Sequence, residues 1–236
     1  MSRNNQDRLG PKVHDSDPPI ANPPESNSTP LQFVVPTEFV ELPSGGEFYS
    51  EDHPLHNIAE IEIKHMTAKE EDLLTDKTLL KKGLAIDRLL RNIIVDKLIS
   101  ADSLLTGDRN AILIATRTSA YGPDYDTKLV CPVCFSHGRH EFDLLRAKVT
   151  KNDNFEELGV QRTEKGTLIF KTPRMDVEVE CKMITGTDEK KIVANQKNNK
   201  KLKLLERNLT TQLRTIIISI NGNADRQYIN SFIETV

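Results

Sequence analysis

Runs of apolar and polar residues change their period several times along this chain, and each change marks an element. Glu38-Phe39-Val40-Glu41-Leu42 alternates as a half-buried strand does, and Ile61-Glu62-Ile63-Lys64-His65-Met66 alternates again. Between them Pro43-Ser44-Gly45-Gly46 predicts a turn, because glycine admits positive φ and proline presets its own. Thr67-Ala68-Lys69-Glu70 has the spacing of a capping box and predicts a helix start. From Asp76 to Leu98 the apolar positions recur mostly at three and four, and Gly83 divides the run into two helices. Thr106 is placed to cap a further helix through Ala115, with Asp108 in the first turn where the dipole favours a carboxylate. Tyr121-Gly122-Pro123 ends it.

Beyond residue 123 the pattern turns to β. Tyr125 to Val130 and His140 to Leu144 flank a cysteine-bearing loop, Leu168 to Lys171 is a further strand, and Val177 to Met183 alternates strictly. One small antiparallel sheet is expected. Thr187-Asp188-Glu189-Lys190 then predicts a capped helix running on to Leu202, Leu204 and Leu205. Leu209 to Ile220 and Asp225 to Ile233 predict a helical pair split by Asn221-Gly222-Asn223. The expected class is α+β: a helical core plus a small antiparallel sheet whose hairpin can serve as a zinc knuckle. The expected organisation is a flexible proline-rich arm over 1–35, strands and helices over 36–122, a small β region with the Cys-x-x-Cys hairpin over 123–185, and closing helices over 186–236.

Composition sharpens this outline. Residues 1–35 hold six of the twelve prolines among Ser, Asn and Asp, so the arm cannot bury enough surface to offset its ordering entropy. It is expected to be disordered alone, or extended along a neighbour. With 32 basic against 35 acidic side chains there is no global field to hold a polyanion, and tryptophan is absent, which disfavours nucleic acid as a partner. No apolar run approaches the roughly 20 residues of a membrane span, and the first residues lack a signal peptide's apolar stretch. Three cysteines, an odd set, suit a metal site or free thiols better than a disulfide framework.

Cys131-Pro132-Val133-Cys134 is the one arrangement with ligand spacing. Two thiolates on a turn make half of a tetrahedral zinc site, and His137 or His140 can supply the rest; the alternative is a plain hairpin with free thiols and exposed histidines. A redox role is disfavoured, because the first cysteine does not open a helix. Cys181 shares a strand face with Val177 and Val179 and is expected in the core. The lysines from Lys190 to Lys203 read as a solvated helix face, with phosphate binding as the less favoured use. Phe48 and Tyr49, just after the glycine turn, are candidate partner contacts, with core packing as the alternative. No phosphate loop and no nucleophile elbow is present, so an enzyme is not expected.

Five blocks stand in order: Leu42-Pro43-Ser44-Gly45-Gly46-Glu47-Phe48-Tyr49, His53-Pro54-Leu55, Met66-Thr67-Ala68-Lys69-Glu70-Glu71-Asp72, Leu79-Leu80-Lys81-Lys82-Gly83 and Gly107-Asp108-Arg109-Asn110-Ala111. Together with the later Cys131/Cys134 pair they resemble the baseplate hub subunits and hub assembly proteins of T-even-type contractile-tailed bacteriophages. That resemblance implies a structural or assembly role at the centre of the tail baseplate, in the virion and, during assembly, in the host cytoplasm. Other baseplate and hub proteins would be the partners, and no catalytic residue is carried over. The competing expectation is a zinc-knuckle nucleic-acid-binding protein, built on the cysteine pair and the lysine-rich helix.

Overall fold

The computed structural model describes residues 34–149, 154–155, 157–201 and 208–235. Residues 1–33 of the expected proline-rich arm and the leucines at 202, 204 and 205 lie outside the described residues.

Strand β1 (Thr37–Glu41) pairs antiparallel with β2 (Glu60–Lys64), Val40 opposite Ile61 and Glu38 opposite Ile63. Alternation works as expected: Val40, Ile61 and Ile63 are buried while Glu41 and Glu60 face solvent. Helix α1 (Ala68–Thr75) opens on the capping box, with the Thr67 N–H donating to the Glu70 carboxylate at 3.1 Å. Helix α2 (Lys77–Lys82) starts where the Asp76 carboxylate accepts the N–H groups of Thr78 and Leu79, and stops at Gly83 with φ +70°. Helix α3 (Ala85–Ile93) buries Leu89, Leu90 and Ile93. It ends before the expected Leu98, because Ile94 turns extended and bridges to Ile63. The Lys97 ammonium then donates to the carbonyls of Arg91, Asn92 and Ile94 and satisfies the helix end.

Helix α4 (Thr106–Tyr121) completes this half. Thr106 does not cap it as expected; its N–H and hydroxyl both donate to the Ile184 carbonyl, at 2.9 and 3.1 Å. Leu42, Leu55, Ile63, Leu90, Leu104 and Ile112 form the centre of one core shared by β1, β2, α3 and α4.

The β region divides in two where one sheet was expected. Strands β3 (Asp124–Val130) and β4 (His137–Asp143) form a two-stranded ribbon, followed by a 3-10 turn at Leu144–Arg146. Strands β5 (Gln161–Arg162), β6 (Leu168–Lys171) and β7 (Glu178–Cys181) belong to a separate four-stranded sheet. Its fourth strand, β8 (Ile217–Ile220), corrects the expectation of helix through Ile220. Helix α6 (Asn208–Ile216) stops at Ile216, and the β-branched run that follows pairs with β7, Val179 opposite Ile220. Helix α7 (Arg226–Thr235) packs Ile229 and Ile233 onto Val179, Ile217 and Ile220, which form a second core. Helix α5 (Gly186–Lys201) begins one residue before Thr187, with Thr185 and Asp188 exchanging the capping hydrogen bonds.

Gly46 and Gly166 are each fixed by close approach to backbone as well as by φ. A Cβ on Gly46, whose φ is +77°, would meet the Ile58 N and O and the Leu55 O at 2.4 to 2.6 Å, whereas one on Gly83 would meet nothing within 4 Å. Gly46→Ala is therefore expected to lower stability by about 3 kcal/mol and Gly83→Ala by about 1 kcal/mol. Chemical denaturation should show this as a larger midpoint shift for Gly46→Ala at unchanged m-value; equal shifts would contradict it.

Candidate functional site

Two of the sequence blocks meet at a buried carboxylate. Asp108 has no solvent exposure. It accepts the Ser44 N–H at 2.9 Å, the Ser44 hydroxyl at 2.6 Å and the Tyr49 hydroxyl at 2.7 Å. The Tyr49 oxygen accepts the Leu105 N–H at 3.1 Å, and the Tyr49 ring stacks on His53 at 4.4 Å. Burial, reinforced by the Asp108 charge, pushes the Tyr49 phenol far above its usual range.

Tyr49 is thus committed to the inside of the fold, at 3% exposure, and is not available as a partner contact. Phe48 is half-buried, edge-on to Phe155 at 6.2 Å and under the Arg162 guanidinium. For this turn the sequence leaves partner contact and core packing as alternatives. The turn packs inward because the carboxylate 64 positions away supplies acceptors for its donors.

A second polar cluster was missed altogether. Arg109 donates to Asp87 at 2.6 Å with both side chains nearly buried, and Lys190 reaches Asp87 and Asp102 at 2.6 Å each. Arg91 completes it on Asp102 at 2.8 Å. The Lys190 hydrogen bond and charge, with Arg91 adding to them, hold Asp102 below the ordinary carboxylate range. Burial alone would lower the Lys190 ammonium, yet its hydrogen bonds to Asp102 and Asp87 hold it above its usual value. Lys190 is exposed, as expected of a solvated face, and at the same time ties α5 to Asp87 on α3, while Lys182 is likewise held by Asp188 at 2.7 Å. The only sequence signal was the Gly107-to-Ala111 block itself, whose Asp108 reads locally as a dipole partner.

The ribbon is different in kind. Every residue of β4 is exposed, and of β3 only Thr127 is half-buried. Its register gives two unlike faces. Tyr125 opposite Phe142 and Leu129 opposite Gly138 make one apolar side. Asp124 opposite Asp143, Asp126 opposite Glu141 and Lys128 opposite Arg139 make the other. Like charges directly opposite each other oppose strand pairing. At its foot lies an apolar cleft of about 580 Å³ between β1, α4 and the chain after the ribbon, lined by Val40, Pro43, Ala111, Ile114, Leu145 and Val149.

The cysteine pair sits at the ribbon tip. The Cys131 N–H donates to the Ser136 carbonyl and the Phe135 N–H to the Cys131 carbonyl, both at 2.9 Å, with Phe135 at φ +56°. The Cys134 sulfur is 3.0 Å from the Ser136 hydroxyl. Hydrogen bonds from the Ser136 hydroxyl and backbone, then from Cys131, lower the Cys134 thiol to about 7. His137 and His140 do not join the pair: three apart on a strand, they point to opposite faces, and His140 packs on Phe142 at 4.4 Å. Among the described residues no group of three or more His, Cys, Asp or Glu is placed to hold a metal ion. Cys181 is half-buried against the second core, and burial raises its thiol to about 11.

Two outcomes follow. Because the Tyr49 phenol titrates higher in the folded chain than in the unfolded one, its contribution is complete below about pH 10 and is lost as pH rises beyond it. Tyr49→Phe should flatten that alkaline decline in a pH series of unfolding midpoints, and cost about 1–3 kcal/mol at neutral pH by leaving buried partners unmatched; an unchanged alkaline slope would refute this. Alkylation of Cys134, followed by peptide mass spectrometry, should reach half its limiting rate near pH 7. Ser136→Ala should move that midpoint up toward the ordinary thiol range of about 8.5, and no movement would discount the serine.

Comparison with known proteins adds one match. The family model described as T4 bacteriophage base plate protein matches residues 35–210, a span that takes in the buried Asp108 cluster and the whole ribbon. No curated protein and no solved structure matches the chain. Since the match covers well over half of the 236 residues, the chain belongs to the T4 bacteriophage base plate protein family.

Proposed function

We propose that this baseplate protein is a structural or assembly component of the hub, and that it works through protein–protein contacts made by the ribbon over residues 124–143. The family gives the coarse role and place: a structural protein of the phage tail baseplate, with other baseplate proteins as neighbours. What supports the finer role is the ribbon's apolar face, with Tyr125 at 45%, Leu129 at 47% and Phe142 at 43% exposure on a two-stranded element. A ribbon of this kind is marginal alone and gains stability once a neighbour buries one face. The aromatic pair is suited to anchor such a contact, since aromatic side chains dominate interface energetics.

Co-sedimentation of the labelled full chain with purified tails and with hub intermediates tests this. The wild-type chain should travel with hub-containing particles. Tyr125→Ser/Phe142→Ser should weaken that association at least about thirtyfold, the equivalent of about 2 kcal/mol, while leaving the melting transition of the free protein nearly in place. Absence of the wild-type chain from both fractions would remove the hub role. Full retention of the double variant would remove the ribbon as the contact.

A further inference from the structure

Cys131 and Cys134 offer two sulfur ligands and no more. Their turn is closed by two backbone hydrogen bonds, Cys131 N–H to the Ser136 carbonyl and Phe135 N–H to the Cys131 carbonyl, which hold both cysteines on one short turn. Cys134 is exposed, Cys131 half-buried, and the third cysteine, Cys181, is engaged in the four-stranded sheet. Zinc held by thiolates takes four tetrahedral ligands, and among the described residues no histidine or carboxylate is placed to add to the pair. Among the described residues the donor set stops at these two sulfurs, so a tetrahedral ion held here needs further donors.

We propose that the ribbon tip is half of a zinc site completed in trans, with Cys131 and Cys134 of one copy and the same two residues of a second copy coordinating a single ion. A two-fold axis through the ion makes the contact isologous, so one short turn supplies both halves without further ligands. Two observations beyond the thiols favour a second copy. First, Val133 and Phe135 stand 85% and 73% exposed on the turn itself, and tip-to-tip docking would bury both from each side. Second, four thiolates around one divalent cation leave a net charge of −2. Lys128 and Arg139 lie directly opposite each other just behind the turn, and neither has an ion pair among the described residues. That like-charge pair is unfavourable in an isolated ribbon and becomes favourable beside an anionic tetrathiolate centre within roughly one Debye length. The inference does not depend on the hub role, and its test uses only the purified chain.

The full chain is reduced, stripped with a chelator, desalted and titrated with Co2+ and then Zn2+ alone. Expected are a thiolate-to-cobalt charge-transfer band with tetrahedral d–d absorption saturating at one ion per two chains, and a doubling of mass by sedimentation velocity on stoichiometric zinc, reversed by chelator. Cys131→Ser/Cys134→Ser should lose both signals and keep its far-ultraviolet circular dichroism; His137→Ala/His140→Ala should keep both. One ion per chain without a change of mass would overturn the proposal, as would loss of binding in the histidine variant. So would the absence of a thiolate band, or a zinc-dependent dimer that survives in the cysteine variant.

Discussion

A buried carboxylate sets the terms for the larger half of this molecule. Asp108 is taken wholly out of water, and an ionised carboxylate so placed is tolerable only if its lone pairs are met by donors. A carboxylate can only accept, so its surroundings must donate, and they do so in one direction: the Leu105 N–H to the Tyr49 oxygen, the Tyr49 hydroxyl to Asp108, the Ser44 N–H and hydroxyl to Asp108. Reaching that carboxylate bends the chain after β1 so tightly that Gly46 lies against the backbone of Leu55 and Ile58. Glycine at 46 and aspartate at 108 are thus two consequences of one geometric demand.

The next residue carries the second demand. Neighbours in a helix face different directions, so Arg109 leaves the Asp108 cluster and reaches Asp87 on α3, while Lys190 from α5 closes on the same carboxylate. Gly186 allows this, since a Cβ there would come within 2.7 Å of the Arg109 guanidinium and 3.3 Å of the carbonyls of Ala101 and Asp102. The start of α5 is thereby drawn onto the first core by polar contacts and by the Thr106 bonds to Ile184. Such nearly buried ion pairs define arrangement more than they add net stability.

What was legible in the sequence follows from how far each signal reaches. The β1 and β2 alternation, the Thr67 capping box and the Gly83 stop depend on residues within a turn or a strand, and all three stand where the pattern puts them. Strand β8 was not legible. Thr215-Ile216-Ile217-Ile218 continues the apolar face of α6 and is equally a strand, and only the vacant edge of β7 decides between them. The functions of Asp108, Arg109 and Lys190 were hidden because their partners lie on other elements, and a local reading assigns each to a helix dipole or to solvent. Spacing alone put His137 and His140 near the cysteines. Strand geometry separates them, since an odd offset sends two side chains to opposite faces.

The ribbon inverts the logic of the rest of the chain. In the first core the buried Asp108 and the nearly buried Arg109 find partners on other elements, and the apolar faces of β1, β2 and α3 share one interior. Along β3 and β4 the apolar residues stay outside, and three successive cross-strand pairs set acid against acid or base against base. Each such pair opposes closure by a few tenths of a kcal/mol, enough to matter in a two-stranded element that is marginal by itself. Segregation by sign, acidic toward the foot and basic toward the tip, is a poor arrangement for a free hairpin and a good one for a hairpin read by another surface, because it fixes both the direction and the register of whatever lies along it. Under the proposed contact, a neighbour lying along the ribbon would offset the like-charge pairs that the isolated hairpin has to bear.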